Sequence, residues 1–180
     1  MTQTQTQSPA YSPADASPTH VEPAAAPARM PSDDHRSTAS IGGHPLHPLA
    51  VTVPIGLFVA TTAADVMHAV THDPFFSRVA RWLLRGAVGS GAFAAVFGAT
   101  DFFTIAKARG PMGVAHATGN ATILGLSAAS LAVRRRSRGD TPMLAMVLSA
   151  VAASMLMVTG WLGGELSYRK GIGVVPHEER

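Results

Sequence analysis

The sequence predicts an all-α fold, an integral membrane four-helix up-down bundle preceded by a disordered tail, and three observations predict it. The first is where the charges fall. The chain has 180 residues with 14 Lys and Arg and 11 Asp and Glu, an ordinary proportion until it is sorted by position. Four segments, residues 49–70, 82–106, 114–133 and 143–164, total 89 residues and contain only Asp65, Arg85 and Asp101. The second is length. Each segment runs 20 to 25 residues, and at about 1.5 Å per helical residue that spans the roughly 30 Å hydrocarbon core of a bilayer. A soluble protein of this size shows helices with a polar face, whereas these are apolar, or small and weakly polar, on nearly every face. The third is the connections, which are short enough to force antiparallel neighbours.

The elements follow in order. Residues 1–40 consist mainly of Thr, Gln, Ser, Pro and Ala with almost no large apolar side chain. They cannot bury enough surface to offset the entropy of ordering and are expected to form a disordered tail. A basic start with an apolar core is missing, so the first membrane helix is expected to act as its own targeting signal. The transmembrane domain is expected over 41–175, with a polar end at 176–180. Gly42 and Gly43 precede His44-Pro45-Leu46-His47-Pro48, which leads into the first helix, and Pro54 predicts a local break near its start. Between the first two helices lies THDPFFSRVAR, where Asp73-Pro74 signals a turn and Phe75 and Phe76 suit the interface. KARGPMG and RRRSRGDTP make the other two links. Arg85 lies one turn inside its segment, where its stem lets the guanidinium reach back to the headgroups. Small residues recur at four-residue spacing, as in Gly91 and Ala95, Ala94 and Gly98, Ala121, Gly125 and Ala129, and Gly160 and Gly164, which predicts close helix packing in lipid.

Several function classes are excluded. The chain has no cysteine, which removes disulfides, thiolate metal sites, iron–sulfur ligation and cysteine nucleophiles together. No nucleophile and base with a third member stands out, and phosphate-binding glycine motifs are missing, which points away from an enzyme. The net charge of +3 could suggest nucleic acid, but the arginines sit at the ends of apolar segments, the place of membrane-interface anchors. Counting basic residues near the membrane favours a cytoplasmic RRRSR loop by seven to five.

Alternating helix direction places both termini on one side and makes a sharper prediction. His44, His47, Asp101, His116, Asn120, Glu165 and Tyr168 should lie near that end, with only Asp65 and His68 toward the other. His116 and Asn120 are four apart and share a helix face, as do Trp161, Glu165 and Tyr168. His47 and His116, with His44, are candidate ligands from adjacent helices for haem b or a divalent metal, and Asp101 or Glu165 could complete a mixed oxygen and nitrogen shell. The first reading of the same residues is structural, tying helix ends together through unpaired backbone groups. Asp65 and His68, three apart, could form a proton relay or a structural pair. Trp161 and Tyr168 read as interface anchors.

Three separated blocks also resemble a known family. GGHPLHPLAVTVPIGL followed by Asp65, then GATDFFTIAKARGPMGVAHATGN, then WLGGELSYRKGIGV are similar to the DUF2231 family of predicted bacterial membrane proteins, over Gly42 to Val174. The resemblance implies a four-helix integral membrane domain in the bacterial inner (plasma) membrane. Some relatives are joined to Rieske-type iron–sulfur domains, which implies a redox context; this chain has no thiolates to hold such a cluster. Lys170 stands where the family often has histidine, and a protonated lysine cannot ligate a metal. The expected function is a small non-catalytic membrane module in the lipid bilayer, a partner or anchor of a redox assembly. The alternatives are a haem- or metal-binding electron-transfer or quinone-reactive protein using His47 and His116, and a proton or ion carrier using Asp65, Asp101 and Glu165.

Overall fold

A computed structural model describes residues 35–137 and 140–174. The expected tail lies outside the described residues up to residue 34, as does the polar end at 176–180. Residues 35–40, assigned to the tail by composition, instead pack on the bundle: the Asp101 carboxylate accepts from Ser37 Oγ at 2.8 Å and from the Thr38 amide at 3.1 Å. A buried acceptor supplies what a Ser- and Thr-rich stretch lacks by itself, a reason to be ordered.

Strands β1 (Ser40–Ile41) and β2 (His44–Pro45) pair antiparallel, Ser40 opposite Pro45. Their two-residue turn has Gly42 at φ +57° and Gly43 at +79°, the doubly left-handed turn that matches strand twist and is open to glycine at little cost. Helix α1 (Leu46–Ala50) is separated from α2 (Thr52–Thr71) at Val51. The break falls there because Pro54 has no N–H for the Ala50 carbonyl four residues back and its ring crowds that carbonyl.

The second link is much shorter than the eleven residues expected. Helix α3 (Pro74–Thr104) begins at Pro74, with Asp73 as N-cap accepting from the Phe75 amide at 2.7 Å, so only His72 and Asp73 remain outside helix. His72 closes α2 in the left-handed conformation. Arg78 and Arg81 are therefore helical residues. A short 3-10 turn (Ala106–Arg109) leads to α4 (Pro111–Arg136), longer than expected because Pro111 suits a first helical position and the arginines continue the helix. Helix α5 (Met143–Gly164) matches the expected span and runs into a π turn at Glu165–Arg169.

Helix α2 packs on α3 and α4 on α5, and contacts of α3 with α4 and α2 with α5 close the bundle. Phe58, Leu84, Ala87, Ile123, Leu131 and Ala152 form its core. Large apolar side chains such as Val59, Phe93, Met157 and Trp161 point outward, as lipid-facing residues do. Three helical stretches, Leu46–Thr71, Pro74–Thr104 and Met143–Arg169, are long and apolar enough to cross a membrane. Helix α4 has the length, at 26 residues, but carries more polar side chains. Its outward Thr118 and Thr122 donate to carbonyls one turn back, which satisfies them without water. The small-residue stripes divide: Gly91 faces Leu124 and Pro54, while Gly125 and Gly160 have no neighbour within 4 Å where a side chain would stand.

Candidate functional sites at the two ends of the bundle

At the end holding Leu46 and Gly164, His47 of α1 and His116 of α4 come together. Their ring centroids are 6.4 Å apart and the planes stand at 85°. His47 Nδ1 lies 3.0 Å from the Ala94 carbonyl of α3, and His116 Nδ1 lies 2.9 Å from the Thr159 carbonyl of α5. A carbonyl only accepts, so each Nδ1 carries the hydrogen, and in the neutral form of each ring Nε2 is the atom with the free lone pair.

Glycines make room for both rings. A Cβ on Gly98 would stand 2.7 Å from His47 Cε1, and one on Gly163 would stand 2.9 Å from His116 Cε1. Those distances are inside van der Waals contact, so the glycines set how deeply the imidazoles enter. Asn120 donates from Nδ2 to the His116 carbonyl at 2.8 Å and lies 3.3 Å from its Nε2.

The other residues expected at this end do not join the pair by any hydrogen bond or ion pair among the described residues. His44 is exposed in β2. Asp101 is committed to the segment at Ser37–Ala39. Glu165 pairs with Arg169 one π turn on, at 2.5 Å, and Tyr168 is 92% exposed. The change of helical pitch after Gly164 and a nearby cation decide the partner of Glu165. Among the described residues, no group of three or more His, Asp or Glu side chains is arranged to hold a metal ion.

The opposite end carries a second polar site, and its main member was read as a loop residue. Arg134, in the last turn of α4, is fully buried. Its Nη1 donates to Asp65 Oδ1 at 2.8 Å and its Nη2 to Asp65 Oδ2 at 2.5 Å, a bidentate pair joining α4 to α2. Nε donates to Ser130 Oγ at 3.2 Å and Nη2 also to Ser149 Oγ at 3.1 Å, so α5 is tied in as well. The signal for it was present: Asp65 stood inside a span without an explanation, and a buried carboxylate needs a cation.

Asp65 and His68 are neighbours on α2 but take different partners. His68 Nε2 meets Asp140 Oδ1 at 2.6 Å and its Nδ1 meets the Asp73 carbonyl at 3.1 Å. Those contacts hold the α4–α5 link against the C-terminal end of α2. The hydrogen bond from His68, and secondarily the Thr141 amide, hold the Asp140 carboxyl below the ordinary carboxylate range.

The comparisons agree with this architecture. The family model described as a predicted membrane protein, DUF2231, matches residues 43–176. No curated protein and no solved structure gave a match. With its helical bundle, its outward apolar faces and that match, the chain belongs to the DUF2231 family of predicted membrane proteins.

Proposed function

We propose that the chain is a small, non-catalytic, multi-pass module of the bacterial inner membrane, all four helices crossing and both termini on one side, that carries an electron-transfer haem between His47 and His116. The observation that carries this reading is the pair itself. The two ring centroids are 6.4 Å apart, close enough that both side chains could hold one group. Each Nδ1 bonded to a backbone carbonyl is the outer-shell contact that orients a ligating histidine; Nε2 would then serve the metal, with the Asn120 amide, 3.3 Å from the His116 Nε2, turning aside.

The donor count favours haem over a bare ion. A lone transition metal asks for three or four protein ligands, whereas a porphyrin supplies four nitrogens and asks the protein for one or two axial ones. The residues present fit the second case. Haem would supply one-electron chemistry, and this chain's own residues would orient the rings, exclude water and keep Nε2 unprotonated. A redox assembly in the same membrane is the partner this function requires.

The test is the reduced-minus-oxidised absorption spectrum of protein purified in mild detergent from haem-replete cells. A stoichiometric haem band that disappears in both His47→Ala and His116→Ala, with the helical signal kept, is the expected result. A wild type with no haem band overturns the reading and leaves the pair as a brace between α1 and α3 and between α4 and α5.

A further inference from the structure

The end of the bundle that holds Asp65 has a set of cations with no acidic partner among the described residues. Arg78, Arg81 and Arg85 recur at three- and four-residue spacing along one stripe of α3, beside the exposed Trp82. Arg81 reaches the end of α4, its Nη2 3.5 Å from the Ser137 carbonyl, while its Nε is buried with no hydrogen-bond partner among the described residues. The Arg85 guanidinium lies 4.6 Å over the Trp82 ring. Across the seam, Arg135 and Arg136 are the exposed last residues of α4. The carboxylates of this end are already taken: Asp65 by Arg134, Asp73 by the Phe75 amide, Asp140 by His68.

The depth of these side chains follows from helix length. Helix α3 has 31 residues, and at about 1.5 Å each it exceeds the roughly 30 Å hydrocarbon core by some three turns. A helix of that length extends into the headgroup layer at one end or both, and the arginines and Trp82 of its first turns mark that end as one that does. An interfacial Trp with a guanidinium stacked on it fixes that level, since the ring favours the boundary and the cation favours phosphate.

We propose that the α3–α4 seam at this end binds the phosphate diester of an anionic phospholipid, bracketed by Arg81 and Arg85, with Arg78, Arg135 and Arg136 adding to the local positive potential. The planar donor fork of a guanidinium matches phosphate oxygens, and Arg81, whose one hydrogen bond among the described residues is the long contact to the Ser137 carbonyl, has donors left for such a group. Charge complementarity chooses the occupant. These cations, which have no acidic partner among the described residues, belong at a membrane surface, and the membrane itself supplies the anion.

Trp82 is the reporter. In Trp161→Phe protein, which leaves Trp82 as the sole tryptophan, reconstitute the full chain in phosphatidylcholine vesicles containing equal fractions of brominated phosphatidylglycerol or brominated phosphatidylcholine. The expected result is a roughly 10- to 30-fold preference for the glycerol lipid around Trp82. Arg81→Gln with Arg85→Gln removes it, and Arg109→Gln at the other end of the bundle leaves it intact. Equal quenching by both lipids in the Trp161→Phe protein overturns the proposal, whether or not the double variant folds. So does a preference that survives Arg81→Gln with Arg85→Gln, or one that Arg109→Gln abolishes equally.

Discussion

Arg134 offers five N–H donors and buries all of them, so its contribution depends on every partner being in place. Asp65 takes two of those bonds, and Ser130 and Ser149 take two more. Replacing it by Met leaves the Asp65 carboxylate buried without a cation, which costs about 3 to 5 kcal/mol. Asp65→Leu together with Arg134→Met removes both charges and should recover most of that loss. Thermal unfolding of the singles and the double in detergent checks this cycle; additive losses would show that the pair is not coupled. At the other end, Gly98→Val keeps both histidines but puts side-chain atoms where His47 lies, since even a Cβ there would stand 2.7 Å from its ring. The expected outcome is loss of the haem band with helical content unchanged, read from the same difference spectrum. Neither effect is visible in residue type alone. Arg134 looks like its neighbours Arg135 and Arg136, and Gly98 looks like any membrane-helix glycine.

Elements were legible where their ends are marked by chemistry. The span of α5 was readable from its uninterrupted apolar run, and the break in the first helix from Pro54. The start of α3 was misplaced by eight residues because Phe75, Phe76 and the charged Ser77–Arg81 stretch look like an interfacial loop, whereas the Asp73 cap and Pro74 begin a helix there. The link between α4 and α5 depends on a contact from another element, His68 to Asp140. The Asp140 carboxyl is held below its usual range by that bond, so the stabilisation it gives is present above the ordinary Asp pKa and is lost as the pH falls through the lowered one. The wild type should therefore lose more thermal stability than Asp140→Asn as the pH is taken below the ordinary Asp range. Melting curves across that acid window provide the measurement, and identical acid losses in the two proteins would count against the link.

For the whole molecule, the topology makes a prediction that needs no cofactor. If α4 crosses the bilayer, positions just before and just after it face opposite compartments. The chain has no cysteine, so Arg109→Cys and Arg136→Cys are clean single labels. An impermeant thiol reagent should reach one from outside the cell and the other only after permeabilisation; labelling of both from one side would place α4 on the membrane rather than across it. The sequence by itself determined the helical class and the apolar spans, because those follow from periodicity and run length. It also marked His47 and His116 as neighbours, since alternating helix direction is a one-dimensional rule. Only the tertiary structure decided the partners: Arg134 for Asp65, Asp140 for His68, Ser37 to Ala39 for Asp101, and Arg169 for Glu165. A charge in low dielectric takes whichever counter-group the packing brings within bonding distance, and for Asp65, Asp101 and His68 that group lies more than sixty residues away in the chain.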